Sequence, residues 1–430
     1  MEDKIVVGLD IGTTKIVAIV GRQNEYGKLE ILGMGKSVSE GVIRGMVTNI
    51  DRTVHAIKSA IEQAEEQAGI DIRVVNVGIA GQHIRSSIHH GGMTRQDVET
   101  EITVQDVKSL TQDMYKTVIP PGSEIIHVMP QTYTVDYEED IVDPVGMTGA
   151  RLEADFHVIT AQTNAINNIN KCVKRAGLDI ENLILEPIAS SMSVLSEEEK
   201  EAGVALVDIG GGTTDIAIFH ENIIRHTAVI PFGGNIITQD IKHGCMVMQN
   251  QAELLKTRFG KALTDEANDL EIISIPGLRN RPPKEISIKN LAGIIQARME
   301  EITELVHSEI ICSGYDQRLA GGIVITGGGS QLQNINQLFE YMTGMDCRIG
   351  YPNEHLGKSK IESVKSPMHA TGVGLVLAGF KALDMRDKSH QMADNRQKDR
   401  PAFTDGGIFK KIMEKTKKIL TDDLDEDVRY

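Results

Sequence analysis

One short pattern occurs twice in the chain, and it narrows the fold more than any other feature. Asp10-Ile11-Gly12-Thr13-Thr14-Lys15 recurs as Asp208-Ile209-Gly210-Gly211-Gly212-Thr213-Thr214-Asp215. Each copy follows an apolar run, residues 5–9 and 204–207, and each leads into another, residues 16–20 and 216–219. An apolar run, a Gly/Thr turn and a second apolar run predict a β-hairpin in both places. Glycines let the backbone turn tightly with its N–H groups exposed, and threonine hydroxyls add donors, so such a turn suits phosphate. An Asp ending the incoming strand suits a hydrated Mg²⁺, which takes few protein carboxylates and keeps several waters. Two such turns from two related halves can grip one polyphosphate between them.

A third element follows in order: Ile323-Val324-Ile325-Thr326 runs into Gly327-Gly328-Gly329-Ser330, a buried type of strand ending in three glycines. After the two turns, it reads as a seat for an adenosine whose base lies against backbone.

In this order the residues resemble the actin-like ATPase superfamily. The two turns match its phosphate loops and Gly327, Gly328, Gly329 and Ser330 its adenosine loop. Residues 185–191 resemble the first connecting helix and residues 369–375 the second, whose small residues suit close packing. Phe232-Gly233-Gly234-Asn235 resembles the turn beside the terminal phosphate, and residues 252–256, with Glu253 and Lys256, the ribose-side helix. The resemblance implies ATP and Mg²⁺ as cofactors. Asp10 and Asp208 would hold the metal through water; Gly12, Thr13, Thr14, Lys15, Gly210, Gly211, Gly212, Thr213 and Gly234 would surround the phosphates. Glu186 matches the connecting-helix Glu that positions an attacking water, giving at most slow hydrolysis and no metabolic reaction.

Within the superfamily, the chain after the first turn discriminates. Residues 33–81 read as strand, loop, long helix (50–68) and strand (74–79). A separate segment follows, with a helix start near Thr103, a strand-like run over 124–136 and Asp143-Pro144-Val145-Gly146-Met147-Thr148-Gly149-Ala150-Arg151-Leu152. This run closely resembles the FtsA family of cell-division proteins. The expected fold is therefore α/β: a two-domain actin-like ATPase with duplicated ribonuclease H-like halves, an inserted 1C subdomain, a flexible tail and a terminal amphipathic helix. The resemblance implies subdomain 1A over residues 1–81 and 162–202, 1C over 82–161, 2A over 203–242 and 318–365, and 2B over 243–317. A connecting helix over 366–383 returns to 1A. It also implies self-association into filaments, other division proteins bound through 1C, and a 2B subdomain receiving the C-terminal peptide of FtsZ, with Arg298 in a position where the family keeps Arg. Pilus-assembly relatives and, more remotely, sugar-kinase-type phosphotransferases are the alternatives.

The tail carries a second signal. Residues 384–405 are polar, charged and aperiodic, which predicts a disordered linker. Beyond Gly406-Gly407, the apolar residues Ile408, Phe409, Ile412, Met413, Ile419 and Leu420 share one face at helical pitch. Lys410, Lys411, Lys415, Lys417 and Lys418 outnumber Glu414 on the rest. That pattern predicts, over 406–421, a helix lying in a membrane interface with lysines toward anionic headgroups. An acidic tail, 422–430, follows.

Composition sets the remaining bounds. A net charge of −16 argues against nucleic acid as the main partner, since phosphate contacts need a basic face. No apolar run approaches the ~20 residues that span a bilayer, and no charged leader with an apolar stretch begins the chain, which predicts a cytoplasmic protein; the resemblance implies the cytoplasmic face of the cell membrane at the division site. Cys172, Cys245, Cys312 and Cys347 lack paired spacing and fit reduced thiols. His89, His90 and His127 show no metal spacing, and Ser190-Ser191 lacks a nucleophile elbow.

Overall fold

The computed structural model describes residues 4–95, 99–277, 282–357, 359 and 361–398, with side chains through 386. Residues through Phe380 form one compact body, within which all the packing below lies. The first half opens with an antiparallel meander, β1 (Ile5–Ile11), β2 (Lys15–Gln23) and β3 (Leu29–Val38). A small hairpin, β4 (Val42–Ile43) and β5 (Met46–Val47), precedes helix α1 (Ile50–Ala68) and strand β6 (Val74–Ile79). An inserted segment then contributes β7 (Ile84–Thr94), α2 (Val104–Met114), β8 (Ser123–Val135), β9 (Glu138–Ile141) and β10 (Arg151–Gln162). The first half resumes with α3 (Thr163–Arg175) and β11 (Asp179–Leu185); α4 (Glu186–Val194) and α5 (Glu197–Ala202) lead to the second half. That half repeats the meander as β12 (Val204–Ile209), β13 (Thr214–His220) and β14 (Ile223–Ile230). Helices α6 (Gly234–Gly244) and α7 (Gln249–Phe259), strands β15 (Ile272–Ile275) and β16 (Lys284–Ser287), and helix α8 (Ile288–Cys312) follow. Strand β17 (Ile323–Thr326), helix α9 (Ile335–Thr343), strand β18 (Cys347–Ile349) and helix α10 (Ala370–Lys398) complete the order.

The duplication is plain in the sheets. The first has the order β11-β6-β1-β2-β3, and the second, from the other edge, β18-β17-β12-β13-β14. In both, three antiparallel strands are extended by two parallel ones on the side of the first strand. Central strands covered on both faces need continuous apolar runs, and Ile16–Ile19 of β2 and Ala205–Val207 of β12 are fully buried. Edge strand β3 instead alternates, as a strand covered on one face must. Helix α1 lies against it and buries Val54, Ile57, Ala60, Ile61 and Ala64, the three-and-four spacing of one helical face. Its start is set by Asn49, whose side chain accepts from the Arg52 N–H, and its end by Gly69 in the left-handed region.

The inserted segment forms its own antiparallel sheet, β7-β10-β8-β9, over a core that includes Leu152, Phe156, Val158 and Leu110 of α2. Thr103 caps α2 in a reciprocal capping box with Asp106.

At the tail, α10 continues to Lys398, so the first part of the expected linker is helical. Met385, Arg386, Lys388, Gln391, Met392, Ala393 and Gln397 favour helix, and no Gly or Pro interrupts before Pro401. The expected membrane helix, with Ile408, Phe409, Lys410, Lys411, Ile412, Met413, Ile419 and Leu420, lies outside the described residues. Among those described, no helix is long and apolar enough to cross a membrane.

Candidate nucleotide site

Both glycine turns are the connections of true hairpins. Asp10 sits on β1 opposite Val17 of β2, and Asp208 on β12 opposite Asp215 of β13. Both turns lie at equivalent ends of their sheets, and they meet. A Cβ added to Gly211 would come within 2.4 Å of Thr14 Cγ2, and one on Gly212 within 2.7 Å of Thr13 Oγ1. Real side chains do not approach so closely, so only glycine lets one turn rest on the other. The second turn is also fixed from behind: Gly234 N–H donates to Gly210 O at 2.9 Å and Asn235 N–H to Gly211 O at 2.8 Å, which anchors the start of α6.

Four carboxylates line one small cavity at this junction: Asp10, Glu186, Asp208 and Asp215, together with Lys15. Burial pushes the Asp10 carboxyl up to about 6, with Lys15 opposing and Asp208 adding to the rise. Burial, with the Asp208 charge added, raises Asp215 to about 7 against a hydrogen bond from Thr213. Glu186 is raised well above its ordinary value by desolvation and by Asp10, Asp215 and Asp208. Asp208 is raised by burial but restrained by two donors, Ser190 Oγ at 2.7 Å and Thr371 Oγ1 at 3.2 Å. These donors come from α4 and α10, the two helices expected to connect the halves. The helices cross so closely that a Cβ on Gly374 would lie 1.8 Å from Ala189 O. Lys15 donates to Met368 O, and burial pulls its ammonium down to about 8. The cavity is thus short of positive charge.

A cation with its water shell fits that need. Asp215 Oδ1 is buried without a partner, and a cation here would offset the like charges that raise these carboxyls. Among the described residues no three acidic, His or Cys side chains are spaced to ligate one ion directly.

A neighbouring cavity of about 370 Å³ shares Thr14, Lys15, Gly210 and Gly211 and extends past Gly234, Glu253 and Lys256 to Gly328 and Gly329. Lys256 donates to Gly234 O at 2.9 Å and Thr238 Oγ1 at 2.8 Å, and pairs with Glu253 at 2.8 Å. Gly12, Gly212, Thr213 and Gly327 border the carboxylate cavity instead. Ser330 borders neither; it is fully buried and its Oγ donates to Gly327 O at 2.8 Å, bracing the glycine turn from beneath. Arg298, on α8, is also elsewhere: its guanidinium is held by Asp240 of α6 at 2.6 and 3.2 Å and by Glu301.

Several site residues escaped the sequence reading. Asp215 had a signal, since a hairpin drawn around Gly210–Thr213 places it across from Asp208. Ser190, which lacks a nucleophile elbow, is a brace for Asp208. Thr371, Lys36, Gln331 and Met368 reach the cavities only through tertiary packing. Outside the site, His90 pairs with Asp155 and Glu153 at 3.0 Å each, partners supplied by strand register rather than local spacing. His127 accepts from the Leu185 N–H at 3.0 Å as a packed residue.

Known proteins resemble this chain at both levels. The family described as cell division protein FtsA matches residues 205–374, and the SHS2 domain inserted in FtsA matches residues 81–160. The type IV pilus assembly protein PilM family matches residues 135–268. Cell division protein FtsA of Pseudomonas aeruginosa is 43% identical over 378 residues, 88% of this chain and 90% of that protein. Among solved structures, a PilM-PilN type IV pilus biogenesis complex superposes with a TM-score of 0.63 at 15% identity, covering 87% of this chain and 98% of the other. MreB5 of Spiroplasma citri bound to ADP does so with a TM-score of 0.50 at 15% identity, covering 90% and 98%. These two likenesses establish the actin-like fold.

Proposed function

The chain belongs to the FtsA family of cell-division proteins, and from that premise we propose that it is an ATP-binding filament protein that tethers FtsZ to the membrane. One observation carries the nucleotide part: two glycine turns from duplicated halves abut beside a cavity of four carboxylates and one lysine. Gly12, Thr13, Thr14, Lys15, Gly210, Gly211, Gly212, Thr213 and Gly234 surround the phosphates, and Glu253, Lys256, Gly327, Gly328 and Gly329 take the adenosine side, with Ser330 beneath. Asp10 and Asp208 hold Mg²⁺ through water, and the ion offsets phosphate charge when bound. Glu186 orients the attacking water. Burial and the neighbouring Asp10, Asp215 and Asp208 raise this carboxyl and disfavour its charged form, which weakens it as a base. Hydrolysis is therefore slow and serves as a conformational switch. Both the fold shared with an ADP-bound neighbour and the charge deficit of the cavity support this reading.

The remaining assignments follow the family. The chain divides as 1A, 1C, 2A and 2B; 1C meets other division proteins, and 2B receives the FtsZ C-terminal peptide. Since Arg298 is tied to Asp240 and Glu301, its contribution there is to lock α8 to α6 and to present a pre-ordered cationic edge. Residues 406–421 lie on the inner face of the membrane, where each buried apolar side chain contributes roughly 1.5–3 kcal/mol and each lysine about 1 kcal/mol. A short helix is marginal alone, so a single copy binds weakly and polymerisation strengthens attachment through multivalency. The pilus-assembly alternative rests on the PilM match, whose structural counterpart shares far less sequence than the FtsA relative. Co-sedimentation with anionic liposomes, ATP and FtsZ tests the whole. We expect FtsZ to pellet only with the full chain, and Phe409→Glu or truncation at Phe403 to release both proteins; retention after truncation would place the anchor elsewhere.

A further inference from the structure

Between β4 and β5 the chain turns through Arg44 and Gly45, both in the left-handed region at φ +49° and +75°. A two-residue hairpin of this kind favours Asn-Gly or Asp-Gly, and a long side chain at its first position is strained. Strain of this sort persists where the surroundings enforce it and concentrates at functional sites. Here the surroundings are the two glycine turns. Gly45 N–H donates to Thr13 Oγ1 at 3.2 Å, and a Cβ on Gly212 would lie 3.1 Å from Arg44 Cα. From the other side, a Cβ on Gly45 would meet Ala80 O at 2.4 Å, so the hairpin tip is wedged in place.

The Arg44 side chain is exposed and lines a cavity of about 350 Å³ with Thr13, Gly211, Gly212 and Asn235. Among the described residues its guanidinium has no carboxylate partner, although four carboxylates occupy the adjoining cavity. Gly211 and Asn235 line both this cavity and the one that reaches Lys256 and Gly328. A polyphosphate whose adenosine lies at Gly328 therefore runs along Gly211 and ends toward Arg44. Lys15 cannot supply the missing charge alone, being engaged with Met368 O and depressed by burial.

We propose that Arg44 binds the terminal phosphate of a nucleoside triphosphate, and that this contact distinguishes triphosphate from diphosphate. The inference rests on the reading that the two turns hold ATP. A guanidinium offers a planar fork of donors matched to phosphate oxygens. A diphosphate, one phosphate shorter, leaves that fork unused.

The test uses the full chain with Mg²⁺ and compares affinity for ATPγS and ADP in wild type, Arg44→Asn and Arg44→Lys. Asn accepts the left-handed conformation, so Arg44→Asn keeps the turn and removes only the cation. The expected result is a fall of about tenfold for ATPγS with ADP changed less than about twofold, and an intermediate value for Arg44→Lys. Wild-type affinities in Arg44→Asn, or equal losses for both nucleotides, would overturn the role while leaving the nucleotide site intact. Should the wild type bind neither nucleotide, the site assignment itself falls and this proposal with it.

Discussion

In the first half, the turn between β1 and β2 offers one carboxylate and one ammonium, Asp10 and Lys15. In the second, the turn between β12 and β13 offers two carboxylates, Asp208 and Asp215, and no cation. The hairpins share their register, yet the residue opposite the strand-ending Asp is Val17 in one and Asp215 in the other. Their supports differ as well. Asp208 accepts from Ser190 and Thr371 on the two helices that cross beneath it, while Asp10 is balanced chiefly by Lys15. Duplication preserved the backbone and let the charges diverge: the first turn is balanced in itself, and the second carries two carboxylates with no cation of its own. The lesson is that the site is a property of the pair of turns, because Lys15 of the first acts on Asp208 of the second as well as on its own Asp10.

The comparison can be broken first at its point of divergence. Val17→Asp would give the first hairpin the carboxylate of the second, at a fully buried position. An uncompensated buried charge costs roughly 3–5 kcal/mol, so urea unfolding should show a large loss of stability. Near wild-type stability would mean that the first hairpin tolerates the second charge and that its absence there teaches nothing.

The reverse exchange tests pH dependence. Asp215 stands at about 7 when folded against an ordinary value of 3.8. Between these values the folded protein holds a proton that the unfolded chain has released. Its contribution to stability is therefore fully present below about pH 4 and is lost as pH rises through 7. Asp215→Asn removes the penalty, and the nucleotide-free variant should exceed wild type by on the order of 3 kcal/mol at pH 8, with little difference at pH 4. A variant less stable at pH 8 would show that the hydrogen bond from Thr213 outweighs the desolvation of the charge.

The smallest expected effect concerns the support beneath Asp208. Ser190→Ala removes a 2.7 Å donor and should cost about 1 kcal/mol, while moving the Asp208 carboxyl further up. Chemical denaturation and a carbon-detected titration of Asp208 would read both. An unmoved carboxyl would assign the restraint to Thr371 alone.

Much of this was legible before any coordinates. Helix α1 begins and ends where Asn49 and Gly69 mark it, and the matching apolar runs around the two turns disclose the duplicated hairpins, because local chemistry decides them. The five-strand orders were legible only through family resemblance, since nothing in the runs at β6 or β17 names the neighbouring strand. Glu186 could be found by its match to the superfamily's connecting-helix Glu, but its charge environment could not: Asp10 comes from the first hairpin and Asp208 and Asp215 from the second, almost two hundred residues on. The helical continuation to Lys398 was missed because the stretch lacks an apolar stripe, although its residues favour helix.

The central claim is that one nucleotide is held by both turns together. Titration calorimetry with MgATP on wild type, Lys15→Gln and Asp208→Asn tests it directly, since each variant alters a single turn. The account predicts one nucleotide per chain for the wild type and a loss of more than about tenfold in each variant. Undiminished binding in either variant would place the site within one half and contradict it.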